Sequence, residues 1–285
     1  MAVCGPASVV AQSPAADAVE PGPETGRRII RDVVYASRAA GGDLTLDLYL
    51  PTPTATPSPL VVWLHGGGWT HGNKADAVRP RYLVDAGYTV ASVQYRFSQT
   101  ATFPAQYDDC LDAVRFLKQA AGTYGLKAET YVVVGESAGG QLAALLGTRA
   151  PADLKPAAVI ELFGPMDLVA HVRQTRRPGR QASQSVQKLV GGDPTISDDA
   201  RRLAEAASPL RHVSSDDPPF LLVHGTADPL VHPDQVTEFA DSLTKAGVAC
   251  EVEWVDRAGH AGDAFWTPTL QARYTAFLHA KRPLR

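Results

Sequence analysis

The residues best able to do chemistry in this chain are a serine, an aspartate and a histidine set far apart, Ser137, Asp228 and His260. Ser137 lies in Gly135-Glu136-Ser137-Ala138-Gly139-Gly140, directly after the apolar run Tyr131–Val134 and directly before a helix-forming run that begins with Gln141 and Leu142. A serine on so tight a strand-to-helix turn is held in strained backbone geometry, and only glycine fits two positions before and two positions after it. Its hydroxyl is a poor nucleophile at neutral pH unless a base takes the proton and a carboxylate holds that base in its tautomer. Asp228 follows the apolar run Phe220–Val223, within His224-Gly225-Thr226-Ala227-Asp228-Pro229, and His260 follows Glu251–Val255, within Ala258-Gly259-His260. Both therefore sit on loops after strands, in the order serine, acid, histidine expected when such loops share the carboxyl edge of a parallel sheet. The chemistry these residues imply is acyl transfer through a covalent serine intermediate.

A glycine-rich stretch upstream fits the same chemistry. The run Leu60–Leu64 leads into His65-Gly66-Gly67-Gly68-Trp69. Three successive glycines are costly to order, which suggests backbone amides left free to approach something closely. In acyl transfer that something is the oxyanion, where preset amides lower the barrier by about 3 to 4 kcal/mol. The expected donors are Gly67, Gly68 and Ala138, with His65 orienting the loop. A phosphate-cradling loop would need a Lys and a Ser/Thr that this stretch lacks.

Other residues compete for these roles. His71, His171, His212 and His279 have no comparable strand-end setting and read as solvated or locally bonded. His224 reads as structural, with a backbone partner, and His232 as the beginning of a helix. Asp256 precedes His260 by four residues and is the rival acid, but the orienting acid normally comes from a separate strand-end loop. Trp69, Phe163, Met166 and Trp266 flank the motifs and are expected to line an acyl or alcohol pocket, with burial in the core as the competing reading.

The elements that must position these residues alternate along the chain. Arg31–Ser37 and Asp43–Leu50 alternate apolar with polar residues and read as an antiparallel ribbon turning near Gly41 and Gly42. Leu60–Leu64, Thr89–Val93, Tyr131–Val134, Ala157–Leu162, Phe220–Val223 and Glu251–Val255 are short apolar runs of the kind found in strands covered on both faces. Between them lie helices: one carrying Cys110, Ala113, Val114, Leu117 and Ala121 on a single stripe, one from Ser137 to Gly147, one over about Asp234–Ala246, and one over about Pro268–Ala280. Asp108, Asp109 and Asp112 fall near the start of the first, where the helix dipole favours acids. The expected fold is α/β: a mostly parallel eight-stranded sheet entered by an antiparallel pair, with helices on both faces. From about residue 167 to 219 the alternation lapses into Arg, Gln, Ser and Pro, with only Ser183–Val190 and Asp198–Ala207 helical in pattern. This reads as a small cap-like insertion within a single domain spanning residues 27–285.

Composition narrows the class. With 27 Lys and Arg against 30 Asp and Glu among 285 residues, the net charge of -3 has no like-charged block, which argues against nucleic acid and anionic membrane as partners. No apolar run approaches the roughly 20 residues needed to span a bilayer. Cys4, Cys110 and Cys250 have neither metal-ligand nor redox spacing, so no metal, cofactor or disulfide framework is implied. Residues 1–26, rich in Ala, Pro, Val and Ser, read as disordered, and Val9, Val10 and Ala11 resemble the cleavage site of a trimmed export signal. Export is the favoured location and the cytoplasm the alternative; oligomeric state is not legible.

Taken in order, HGGGW (65–69), YRF (95–97), FPAQ (103–106), DCLDAVRFL (109–117), GESAGG (135–140), GPMDL (164–168), HGTADPLV (224–231) and AGH (258–260) resemble the esterase branch of the α/β-hydrolases. The chain is similar to the bifunctional feruloyl and acetyl-xylan esterase type of carboxylesterase, close to the hormone-sensitive-lipase-like esterases, from about Arg31 to its end. The resemblance implies the α/β-hydrolase fold, Ser137 as nucleophile with Asp228 and His260 as partners, and Gly67, Gly68 and Ala138 as oxyanion donors. Short-chain or aryl esters are the expected substrates, and the resemblance adds esters decorating plant polysaccharide as the refinement. Glu136 stands where relatives often carry Asp or Ser, and the 167–219 insertion is the chain's own. An aryl-formamidase or amidase on the same scaffold and a catalytically silent binding protein are the alternatives; a lipase lacks the long apolar lid it would need.

Overall fold

The computed structural model describes residues 19–21, 28–76, 79–176 and 184–281, and the readings of an export signal and of Cys4 lie outside them. Among the described residues nine strands form one sheet: β1 (Val19–Pro21), β2 (Arg28–Arg38), β3 (Gly42–Leu50), β4 (Ser58–Leu64), β5 (Thr89–Val93), β6 (Leu126–Glu136), β7 (Ala158–Leu162), β8 (Phe220–Gly225) and β9 (Cys250–Val255). The helices are α1 (Tyr82–Asp85), α2 (Ala105–Gln119), α3 (Ala121–Tyr124), α4 (Ala138–Arg149), α5 (Leu168–Thr175), α6 (Gln184–Val190), α7 (Asp198–Ala206), α8 (Asp234–Lys245) and α9 (Pro268–Lys281).

The strand order is β1-β2-β3-β5-β4-β6-β7-β8-β9. The pairs β1/β2, β2/β3 and β3/β5 are antiparallel and the rest parallel. This is the expected eight-stranded α/β sheet with one short strand added. Val19–Pro21 pairs with β2 although it falls in the stretch read as disordered, because backbone pairing needs no apolar side chains.

Helices cover both faces because β4 to β8 bury both of theirs. In β4, Leu60, Val62 and Leu64 join the core beneath α2, α4 and α8, whereas Val61 and Trp63 join the core beneath α1 and α9, as a period of two requires. The run Glu251–Val255 departs from expectation. It forms the outermost strand of the sheet, paired on one side only, and Val252 and Trp254 are about two-fifths exposed. Between β7 and β8 the structure adds α5, which the sequence pattern did not suggest. Asp167 caps it, accepting the Ala170 amide at 2.9 Å, and Leu168, Val169 and Val172 are buried.

The acids opening α2 do more than complement the helix dipole. Asp109 is fully buried and accepts the Arg96 guanidinium at 2.8 Å, the Arg96 amide at 3.0 Å and Arg38 at 3.2 Å, tying α2 to the loop after β5 and to β2. Asp109→Ala would leave the largely buried Arg96 guanidinium without its anion, while Arg38 keeps Asp112, and should lower unfolding free energy by about 3 to 5 kcal/mol. Urea denaturation checks this; a loss within experimental error would show that water takes the carboxylate's place.

Candidate active site

The register of the central strands brings the motifs together. Leu64 lies beside Gly135, so the glycine loop after β4 and the serine turn after β6 leave the sheet at the same level. Ser137 adopts φ 53° and ψ −116° ahead of α4. Its amide donates to the Leu162 carbonyl at 2.8 Å, and its carbonyl accepts the Gln141 amide at 3.0 Å. A Cβ on Gly139 would come within 2.1 Å of the Leu64 carbonyl oxygen, and one on Gly135 within 2.2 Å of the Gly139 oxygen, so both elbow glycines are sterically required.

The three far-apart side chains meet. Ser137 Oγ is 2.9 Å from His260 Nε2, and His260 Nδ1 is 2.8 Å from Asp228 Oδ2. The other Asp228 oxygen accepts the amides of Leu230 and Val231 at 2.8 and 2.9 Å. Burial alone would push this carboxyl up, but the hydrogen bond and charge of His260, together with the two amides, outweigh it and hold Asp228 below the usual carboxylate range. Phe163 meets the His260 ring edge-on at 5.1 Å and fixes its plane. His224 is buried and neutral, its Nε2 bonded to the Val231 carbonyl at 2.9 Å, so it braces the Asp228 loop. Asp256 is exposed and pairs with Arg257.

The glycine loop is fixed from outside. The Gly67 carbonyl accepts the amides of Thr70 and His71 at 3.0 and 3.1 Å, and Gly67, at φ 111°, has no room for a Cβ, which would sit 2.0 Å from the His71 oxygen. Tyr95 stacks on His65 with ring centres 4.5 Å apart and donates to its carbonyl at 2.8 Å; His65 Nδ1 lies 2.7 Å from the Gly66 carbonyl. The Glu136 carboxylate accepts the Gly66 amide and pairs with Arg79 at 3.0 Å, a buttress that leaves no local signal in the chain. The Gly67, Gly68 and Ala138 amides donate to no other described residue. That leaves three donors beside the serine, one at the start of a twelve-residue helix.

A cavity of about 620 Å³ opens over Ser137. Trp69 and Phe163 line it as expected, with Pro165, Leu230 and Val231. Met166 and Trp266 do not: Met166 is fully buried in the core, and Trp266 packs edge-on against Trp63 and Tyr274, so for these two the core reading holds. His171 lines the cavity rather than meeting solvent, because α5 folds its face over the site, and burial pushes its imidazole down to about 4. Four of the six non-glycine residues with positive φ among the described residues, Trp69, Ser137, Phe163 and Ala261, line this cavity, so backbone strain concentrates there. Among the described residues no cluster of three or more His, Cys, Asp or Glu could hold a metal, and no helix is long and apolar enough to cross a membrane.

The BD-FAE family model matches residues 46–243, well over half of the chain. The chain belongs to the BD-FAE family. Ethyl acetate hydrolase of Pseudomonas putida is 31% identical over 77% of this chain and 71% of its own length. Esterase LipC of Mycobacterium tuberculosis is 28% identical over 82% of this chain and 61% of its own length. The chain spans about half the length of two other mycobacterial relatives, 55% and 47%. A truncated carbohydrate esterase from gut microbiota superposes with a TM-score of 0.78 at 26% identity, covering 95% of this chain and 99% of that one. The α/β-hydrolase fold of these esterases is thus shared by this BD-FAE member nearly end to end.

Behind the site this BD-FAE chain carries a second buried acid. Glu161 on β7 is fully buried; its Oε1 accepts the Gly164 amide, and its Oε2 has no partner among the described residues. Burial, partly offset by that amide and reinforced by the Asp228 charge, raises it to about 8. The folded protein therefore keeps a proton that the unfolded chain releases near 4.5, and stability falls as pH rises between those values. Glu161→Gln removes this titration, so the melting temperature of the variant relative to the parent should move upward from pH 5 to pH 8. Calorimetry across that range checks it, and a constant difference would mean that Glu161 ionises alike in both states.

Proposed function

We propose that the chain is a serine carboxylesterase acting on short-chain or aryl esters. The observation that carries the reading is the relay from Ser137 Oγ to His260 Nε2 at 2.9 Å and from His260 Nδ1 to Asp228 at 2.8 Å, beside three uncommitted amides. Ser137 attacks the ester carbonyl carbon while His260 Nε2 takes the hydroxyl proton. The amides of Gly67, Gly68 and Ala138 receive the charge that develops on the carbonyl oxygen, where each such donor matters by about 10²- to 10³-fold in rate. The tetrahedral adduct collapses as His260 returns the proton to the leaving alcohol oxygen, forming the acyl-enzyme. Water, deprotonated by the same imidazole, then attacks that ester and releases the acid and free Ser137. Asp228 stays ionised throughout, holding His260 in the tautomer whose lone pair faces the serine.

Support for ester bonds comes from the family and from relatives named for ethyl acetate and carbohydrate ester hydrolysis. Esters on polysaccharide, acetyl or feruloyl, are the finer form of the proposal. Ser137→Ala should fold with an unchanged melting temperature and lose about 10⁴- to 10⁶-fold in kcat on nitrophenyl acetate, and Asp228→Asn about 10⁴-fold. A Ser137→Ala enzyme keeping more than a tenth of wild-type turnover would defeat the assignment. Faster cleavage of an aryl formamide than of the matching aryl acetate would replace ester by amide as the substrate.

A further inference from the structure

The cavity over Ser137 has one wall that the relay does not use. Trp69, Phe163, Pro165, Leu230 and Val231 make it largely apolar, yet α5 presents His171 to it. The side chain is 6% exposed, and its Nδ1 is buried with no hydrogen-bond partner among the described residues, so Nε2 is the ring nitrogen a ligand in the cavity can reach. A neutral imidazole always carries one N–H and one lone pair, and a protein interior seldom leaves such groups unmatched. The ring is held on a rigid element rather than a wandering loop. Asp167 caps α5 and pairs with Arg211 at 2.7 Å, and Gln174 near its end accepts Gln235 Nε2 at 2.8 Å. Across the cavity Ser185 of α6 sets its hydroxyl over the glycine loop, 2.9 Å from where a Gly68 Cβ would lie. An apolar chamber with a fixed, unmatched imidazole suits a ligand that is apolar along most of its surface and carries a polar group at one place.

We infer that His171 is a specificity residue that hydrogen-bonds a hydroxyl group on the bound ester, so that the enzyme selects hydroxylated esters over their plain counterparts. A hydroxyl both donates and accepts, and so satisfies either tautomer of the imidazole. A plain ester leaves the ring unmatched on the cavity wall, and discrimination of this kind is far stronger than that from apolar contact alone. This inference rests on the ester-hydrolase reading above and adds to it the residue that discriminates among esters.

The test compares kcat/KM of the full chain for two matched pairs: glycerol monoacetate against propyl acetate, and methyl para-hydroxycinnamate against methyl cinnamate. The first pair places hydroxyls on the alcohol side and the second on the acyl side. Wild type should favour the hydroxylated member of at least one pair by about tenfold or more. His171→Leu should shrink that preference to within about twofold, the loss in kcat/KM falling chiefly on the hydroxylated member. His171→Gln, which keeps a polar group near the Nε2 position, should recover part of the preference and serves as the deciding variant if the leucine protein does not fold. Absence of preference in both wild-type pairs, or an equal loss on both members in the folded variants, overturns the inference while leaving the ester-hydrolase reading standing. No turnover of any of the four esters by folded wild type overturns that reading, and this inference with it.

Discussion

The close passage of the Ser137 turn beneath the end of β4 governs the rest of the site. Leu64 and Gly135 are paired in register, and Gly139 lies so near the Leu64 and His65 carbonyls that no side chain could replace its hydrogen. One approach therefore sets two things at once: the serine is lifted out of the sheet, and the glycine loop that continues β4 is laid alongside it. The positive φ of Ser137 costs on the order of 1 to 3 kcal/mol in a residue with a Cβ. It persists because the Leu162 carbonyl holds the Ser137 amide and α4 begins immediately afterwards, so the neighbouring strands determine the turn from both sides.

The site also depends on keeping three nearby carboxyls in different states. Asp228 gathers an imidazole and two amides and stays ionised despite burial. Glu136 is pushed up by burial, yet Arg79 and the Gly66 amide pull the other way, and its role is mechanical, bracing the glycine loop. Glu161 has only the Gly164 amide and stands close enough to Asp228 to feel its charge, so it remains protonated near neutrality. Had Glu161 been ionised as well, two buried like charges would have stood near one another, each making the other costlier to ionise.

Most of this architecture was legible in the sequence because strand-end loops carry their chemistry in short contiguous runs. Ser137, Asp228 and His260 could be named, as could the amides of Gly67, Gly68 and Ala138, because each follows a buried apolar run that ends abruptly. What could not be read depends on who neighbours whom. Glu251–Val255 resembles any inner strand, yet its place at the sheet margin follows from strand order, which no local pattern encodes. Trp266 and Met166 sit close in sequence to site residues but turn inward, since proximity along the chain says nothing about the face a side chain takes. The helix α5 had a signal, Asp167 three residues before Ala170 with Leu168, Val169 and Val172 behind it. The surrounding Arg, Gln and Pro obscured it.

That polar stretch reads as a small cap-like insertion within the single domain, and its helices are tied to the sheet by packing. Leu168, Val169 and Val172 of α5, with Val186, Leu189 and Val190 of α6, are buried in the same core as β4 and β6. The segment thus shares the domain's core instead of forming one of its own, and its polar composition describes only the faces left over. Of those faces one looks out to water and another looks down on Ser137, where His171 and Ser185 stand. Swinging α5 and α6 away would expose six buried aliphatic side chains at about 1.5 to 3 kcal/mol each, so these two helices are held over the site. Selection among substrates is therefore left to the groups that line the cavity walls.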